Sequence, residues 1–170
     1  MASNDPFDPI AILQALDEQR VGYVVVGALG RVIHGSDELT DGIDIVPSPK
    51  EENLRRLGLA LDALNARRAD GKSLALDNDL ARQPVWELVT DGGELKIVPE
   101  PAGTRGYDAL RRGATREPLG RGVRPSVASL GDHARMLAAL NRDQDQAPLH
   151  TLRRLIELER SRSRGLSIER

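Results

Sequence analysis

The stretch HGSDELTDGIDIVPSP, His34 to Pro49, decides how the rest of the chain is read. It opens on a Gly35–Ser36 turn, crosses a polar segment and enters the apolar run Ile43 to Pro47. Pro47 and Pro49 then stop the run, because proline cannot donate to a sheet ladder. Alternate residues of a strand share a face. Residues 42 and 44 therefore project together, opposite Ile43 and Ile45. Asp44 is left facing one way with Gly42, which has no side chain, as its neighbour on that face. Asp41, three residues before Asp44, belongs to the opposite face unless the backbone bulges there.

Outward from this strand the chain alternates short elements. Asp8 and Pro9 read as an N-cap and first-turn proline, with Ile10, Leu13 and Leu16 recurring at helical spacing, which predicts a helix from Asp8 to Gln19. GYVVVG, Gly22 to Gly27, is a buried β-branched strand, and ALGRVIHGS a short helix closing on the glycine turn. Lys50 to Arg68 carries Leu54, Leu57, Leu61 and Leu64 on one helical stripe. VWELVT and ELKIVP flank Asp91-Gly92-Gly93 as a hairpin. A short helix over Tyr107 to Arg112, an extended piece over Gly122 to Ala128, and helices over Leu130 to Leu140 and Pro148 to Arg160 complete the order. The pattern predicts an α/β (α+β) fold: a small mixed sheet with helices packed on it and a C-terminal helical pair. It divides into a core over residues 1–128, packed helices over 129–160 and a frayed tail over 161–170.

Length, 170 residues, suits one compact domain. Cysteine is absent, which removes disulfides, thiolate zinc sites and cysteine nucleophiles. No apolar run approaches the ~20 residues needed to cross a bilayer, and MASNDPFDP lacks the basic and apolar regions of a signal peptide, so a cytoplasmic protein is expected. The net charge of −2 hides an asymmetry: from Arg105 to Arg170 the chain is arginine-rich, and the part before it is acidic. Arg111, Arg112, Arg116, Arg121 and Arg124 form its densest basic run, either a solvated surface or a contact for RNA phosphates. Aromatic residues are too few for a base-stacking platform. His34 reads as a packing or capping residue, His133 and His150 lack metal-ligand spacing, and Trp86 reads as a core or sheet-face anchor.

Four blocks in order, YVVVGALGRVIHGS, LTDGIDIVPSPKEENLRRLGLAL, ELKIVPEPAGTRGYDAL and VRPSVASLGDHARMLAAL, resemble the nucleotidyltransferase superfamily of the polymerase-β-like fold, and more narrowly its bacterial toxin-type branch of the AbiEii and MenT kind. The resemblance spans residues 7–160. It implies attack by an acceptor hydroxyl on the α-phosphate of an NTP, with Mg²⁺ ions held by carboxylates. Asp44 takes the place of the catalytic, metal-binding carboxylate, with Asp41 as the other candidate metal ligand. Gly27, Gly35 and Ser36 take the places that meet the nucleotide, and Arg135 and Arg142 stand in for basic residues that grip the triphosphate.

Four positions depart from the family pattern. Gly42 stands where the first carboxylate of the pair belongs, Lys96 where the third belongs, and Leu137 and Gln144 where basic residues are usual. Lys96 is placed to pair with Asp44. Two functions follow from the resemblance: a catalytically impaired member, a pseudoenzyme that keeps nucleotide or RNA-phosphate binding or acts through a protein partner, and an active Mg²⁺-dependent transferase of a toxin–antitoxin system that moves NMP from NTP to tRNA or another RNA. A cognate antitoxin-like protein is a partner expected of the second.

Overall fold

The structure, a computed structural model, describes residues 7–76 and 80–168. The elements follow the order α1 (Pro9–Glu18), β1 (Tyr23–Val26), α2 (Gly27–Ile33), β2 (Gly42–Pro47), α3 (Glu51–Ala63), β3 (Arg67–Arg68), β4 (Trp86–Thr90), β5 (Gly93–Ile97), α4 (Tyr107–Gly113), β6 (Thr115–Arg116), β7 (Ser126–Val127), α5 (Leu130–Leu140) and α6 (Gln146–Ile168). The strands form one mixed sheet in the order β3-β4-β5-β2-β1-β7-β6. β2 runs parallel to β5 and β1 parallel to β7, while the β1–β2 and β4–β5 pairs are antiparallel.

Alternation along β1, β2 and β5 sorts the core onto two faces. Ile43, Ile45, Val25, Leu95 and Ile97 pack beneath α1 and α3 in the larger cluster, which also takes Ile12, Leu16, Leu57 and Leu61 from those helices. Val24, Val26 and Val46 point the other way, toward Leu110 of α4 and Met136 of α5. Asp44 shares this second face. A third cluster, Leu130, Leu137, Leu149 and Leu152, joins α5 to α6.

Local chemistry sets the boundaries. Asp8 caps α1 by accepting from the Ala11 N–H at 3.1 Å, and Ser129 caps α5 by accepting from Asp132 N–H at 3.1 Å. Asn53 is buried on α3, where its Oδ1 accepts from Gly22 N–H at 2.7 Å and its Nδ2 donates to Gly22 O and Ser48 O, both at 2.9 Å. One amide thus ties the start of β1, the end of β2 and α3 together. Trp86 is buried and donates its indole N–H to Leu80 O at 2.9 Å, with Arg68 and Arg82 stacked over its ring, as its reading as an anchor required.

Two sequence expectations change. The helix expected to run to Arg68 ends at Ala63; Asn65 turns into the left-handed region at φ 52° and the chain re-enters the sheet as β3. The tail expected to fray after Arg160 continues α6 to Ile168. No proline follows Pro148, which sits in the first turn where it is tolerated, so nothing in the Arg- and Ser-rich segment terminates the helix. Residues 169–170 lie outside the described residues, as do residues 1–6 and 77–79 of the polar connection before β4. Among the described residues no helix is long and apolar enough to cross a membrane.

Candidate functional site

The face that carries Asp44 opens into a cleft of about 470 Å³ between the β2–β5 strand pair and α5. Strand register builds one wall. Asp44 lies directly opposite Lys96 on β5, and Lys96 directly opposite Glu87 on β4, so a carboxylate–ammonium–carboxylate row crosses three strands. Two residues back, Gly42 lies opposite Glu94. All of these residues line the cleft, as does Asp41. Met136, Leu137 and Leu140 of α5 supply an apolar wall across from them.

Asp44 and Gly27 are fitted to each other. Gly27 starts α2 with φ +71°, and a Cβ placed there would sit 2.5 Å from Asp44 Oδ2. Only glycine allows α2 to begin this close to the carboxylate, and only glycine adopts that backbone without strain. Burial raises the Asp44 carboxyl above the usual range; Lys96 and Arg31 oppose the shift, and Glu94 adds to it. A desolvated carboxylate among charges in a cleft is the pattern of a functional group.

Gly42 has a reason of its own. A Cβ at residue 42 would lie 3.1 Å from Glu94 Cβ and 3.2 Å from Glu94 O, tighter than normal packing. The Cβ and backbone carbonyl of Glu94 on the neighbouring strand therefore fill the space a side chain at residue 42 would need. Glu94 does not stand out in the sequence, because its relation to Gly42 exists only in the β2–β5 register.

Each sequence-predicted residue has a definite place. Gly27, Asp41, Asp44 and Arg142 line the cleft. Asp41 reaches it without a strand bulge: β2 begins only at Gly42, so the alternation that would turn residue 41 away does not apply. Arg142 is held by Asp145 through a bidentate pair at 2.5 and 3.0 Å. Gly35, Ser36 and Arg135 are not among the residues lining the cleft. Arg135 is exposed and pairs with Asp132 on the outside of α5. Ser36 is buried and donates to Glu38 Oε2 at 2.7 Å, while Arg31 clasps the same carboxylate with two bonds of 2.8 Å. Burial pushes the Glu38 carboxyl up, but these hydrogen bonds outweigh it and hold it below the usual range. A carboxylate of the chain itself thus occupies the hydroxyl expected to meet a phosphate.

The expected Lys96–Asp44 ion pair takes a different form. The two share a face and a register position, and Lys96 lowers the Asp44 pKa, yet among the described residues neither forms a salt bridge within 4.0 Å. Both charges face the cleft.

The donor set does not fit a paired Mg²⁺ centre. Such a centre needs several carboxylate oxygens converging on each ion, and among the described residues no group of three or more His, Asp or Glu is placed to hold a metal. An ammonium, Lys96, stands in register beside Asp44 and repels a cation there.

Comparison with solved structures identifies the fold. The chain superposes on a candidate nucleotidyltransferase, TM1012 from Thermotoga maritima, with a TM-score of 0.57 at 17% identity, covering 92% of this chain and 99% of that one. The antibiotic-resistance factor ANT(2'')-Ia gives 0.57 at 16% identity over 94% and 92% of the two chains. The lincosamide antibiotic adenylyltransferase LnuA gives 0.57 at 15% identity over 88% and 99%. No family model and no curated protein sequence matches. The architecture is that of the nucleotidyltransferase fold.

Proposed function

We propose that the chain is a nucleotidyltransferase-fold protein that binds a nucleotide in the β2–β5 cleft with its two-metal transfer chemistry impaired. The observation that carries this reading is the register pair Asp44–Lys96. An ammonium on the strand that should supply a carboxylate repels a divalent cation and attracts phosphate. Among the described residues Lys96 has no salt bridge to neutralise it, and it faces the cleft; Arg142 lines the same space. Lys96 is thus available to phosphate oxygens that metal ions would otherwise meet, while Arg142 is engaged by Asp145. Titration of ATP, GTP, CTP and UTP into wild type and Lys96→Met tests it. Affinity should fall about tenfold or more in the variant, on the scale of a lost charge-assisted contact. Equal affinity would rule out Lys96 as the phosphate contact.

One observation favours a second reading, an active Mg²⁺-dependent transferase of a toxin–antitoxin pair that acts on tRNA or another RNA. Glu94 brings a second carboxylate to the cleft beside Asp44, replacing what Gly42 lacks. Incubation with labelled NTPs, Mg²⁺ and total tRNA decides between the readings. Labelled RNA that disappears in both Asp44→Ala and Glu94→Ala supports transfer, and no labelled RNA supports the impaired protein.

A further inference from the structure

Three donors converge on one carboxylate beside the cleft. Arg31 Nε and Nη2 each donate to Glu38 at 2.8 Å, and the Ser36 hydroxyl donates to the same group at 2.7 Å. The Arg31 and Glu38 side chains are only 12% and 16% exposed, and Ser36 is buried, so water competes little for these bonds. Arg31 also lines the cleft, and its charge reaches Asp44. The planar fork of an arginine suits carboxylate and phosphate alike, and a serine hydroxyl donates to either. The fold has therefore built a receptor for an oxyanion at the cleft and filled it with a carboxylate of its own chain.

The segment that delivers this carboxylate has few other ties. Residues 37–40 belong to no helix or strand, and among the described residues their backbone makes no hydrogen bond to another backbone group. Thr40 adds one side-chain bond, to Gly42 O at 2.8 Å, while Leu39 stands fully exposed at the cleft. The Glu38 side chain is thus the main anchor of the segment. His133 of α5, buried at the cleft wall, interacts with both charges, yet neither of its ring nitrogens has a hydrogen-bond partner. Burial, then His34 and Arg31, lower its imidazole to about 3 against the pull of Glu38, so the ring is neutral and offers the carboxylate no cation. Among the described residues Glu38 depends on Arg31 and Ser36 alone.

We infer that Arg31 and Ser36 form an oxyanion site that Glu38 keeps closed, and that the phosphate chain of a ligand in the cleft opens it by taking the place of Glu38. The inference rests on the nucleotide-binding reading. A site closed in this way binds with an affinity reduced by the fraction of molecules in which it is open. Calorimetric titration of ATP and of inorganic tripolyphosphate tests it in wild type, Glu38→Gln and the double variant Glu38→Gln/Arg31→Met. Glu38→Gln removes the competing charge and keeps the shape of the side chain. It should tighten binding by about tenfold or more, on the scale of a charge-assisted contact, and the double variant should lose the gain. Asp37→Asn, which removes an exposed carboxylate one residue away, should change affinity by less than about twofold, since exposed charges are screened. Glu38→Ala serves for the same comparison if the glutamine variant does not fold. A gain with ATP assigns the site to the phosphates of a nucleotide. A gain with tripolyphosphate alone upholds the site, assigns it to an inorganic chain and overturns the nucleotide reading. Unchanged or weaker ATP binding in Glu38→Gln, an equal gain in Asp37→Asn, or a gain that survives in the double variant overturns the inference and leaves nucleotide binding intact. Binding of neither ligand by wild type or by any variant overturns both.

Discussion

Gly27 and Asp44 set the site at the level of single atoms, since the carboxylate occupies the volume a side chain at residue 27 would need. Gly27→Ala carries two costs: about 1–2 kcal/mol for an L-residue in the left-handed region, and the displacement of Asp44. In an Asp44→Ala background the second should shrink to the 3.1 Å approach of the residue-44 Cβ. Urea unfolding of the four variants of this cycle measures the difference, and equal costs in both backgrounds would refute the contact. His133 gives a pH signature. Its folded-state pKa of about 3 lies below the ordinary 6.5, so between these values the unfolded chain takes up a proton that the folded chain refuses. Stability from this group is complete above pH 6.5 and is lost as pH falls toward 3, by up to about 1.4 kcal/mol per pH unit. Denaturation curves for wild type and His133→Leu, compared from mildly acid to neutral pH, should diverge toward acid, and parallel curves would contradict the assignment.

At the scale of elements, the strands place chemistry that their sequences only partly announce. The alternation of Ile43, Asp44 and Ile45 is legible, as are the GYVVVG strand, the hairpin around Asp91-Gly92-Gly93, the Asp8 cap and the span of α5. Glu94 is not, because its value comes from pairing with Gly42 across two strands that α3, β3 and β4 separate in sequence. β3 and β6 escape for another reason: two-residue edge strands, Arg67–Arg68 and Thr115–Arg116, are too short to show a period. The capture of Ser36 and Arg31 by Glu38 depends on how the α2–β2 connection folds back, which composition does not specify. Asn53 shows how such connections are fixed. Replacing it with leucine should cost about 1–3 kcal/mol for each buried backbone group left unpaired, Gly22 N–H and Ser48 O among them. Chemical denaturation would register it, and a change under about 0.5 kcal/mol, typical of surface substitutions, would show that the amide bridge is dispensable.

For the whole molecule, the fold and the charge of the cleft point in different directions. The sheet order and the helices are those of the nucleotidyltransferase fold, matched over nearly the full chain. Within that frame Gly42 and Asp44 of β2 stand opposite Glu94 and Lys96 of β5, and α5 presents Leu137 to the cleft. The charged side chains of the cleft belong to none of the buried apolar clusters. On the proposed reading binding persists without paired metal ions, since Lys96 attracts phosphate with no bridging ion. The most direct test is the Mg²⁺ dependence of NTP affinity, measured by calorimetric titration of wild type in excess EDTA and in excess Mg²⁺. Binding should be measurable in EDTA and change by less than about tenfold, or about 1.4 kcal/mol, when Mg²⁺ is added. Binding detected only with Mg²⁺ would contradict the proposed reading and restore the metal-dependent transferase.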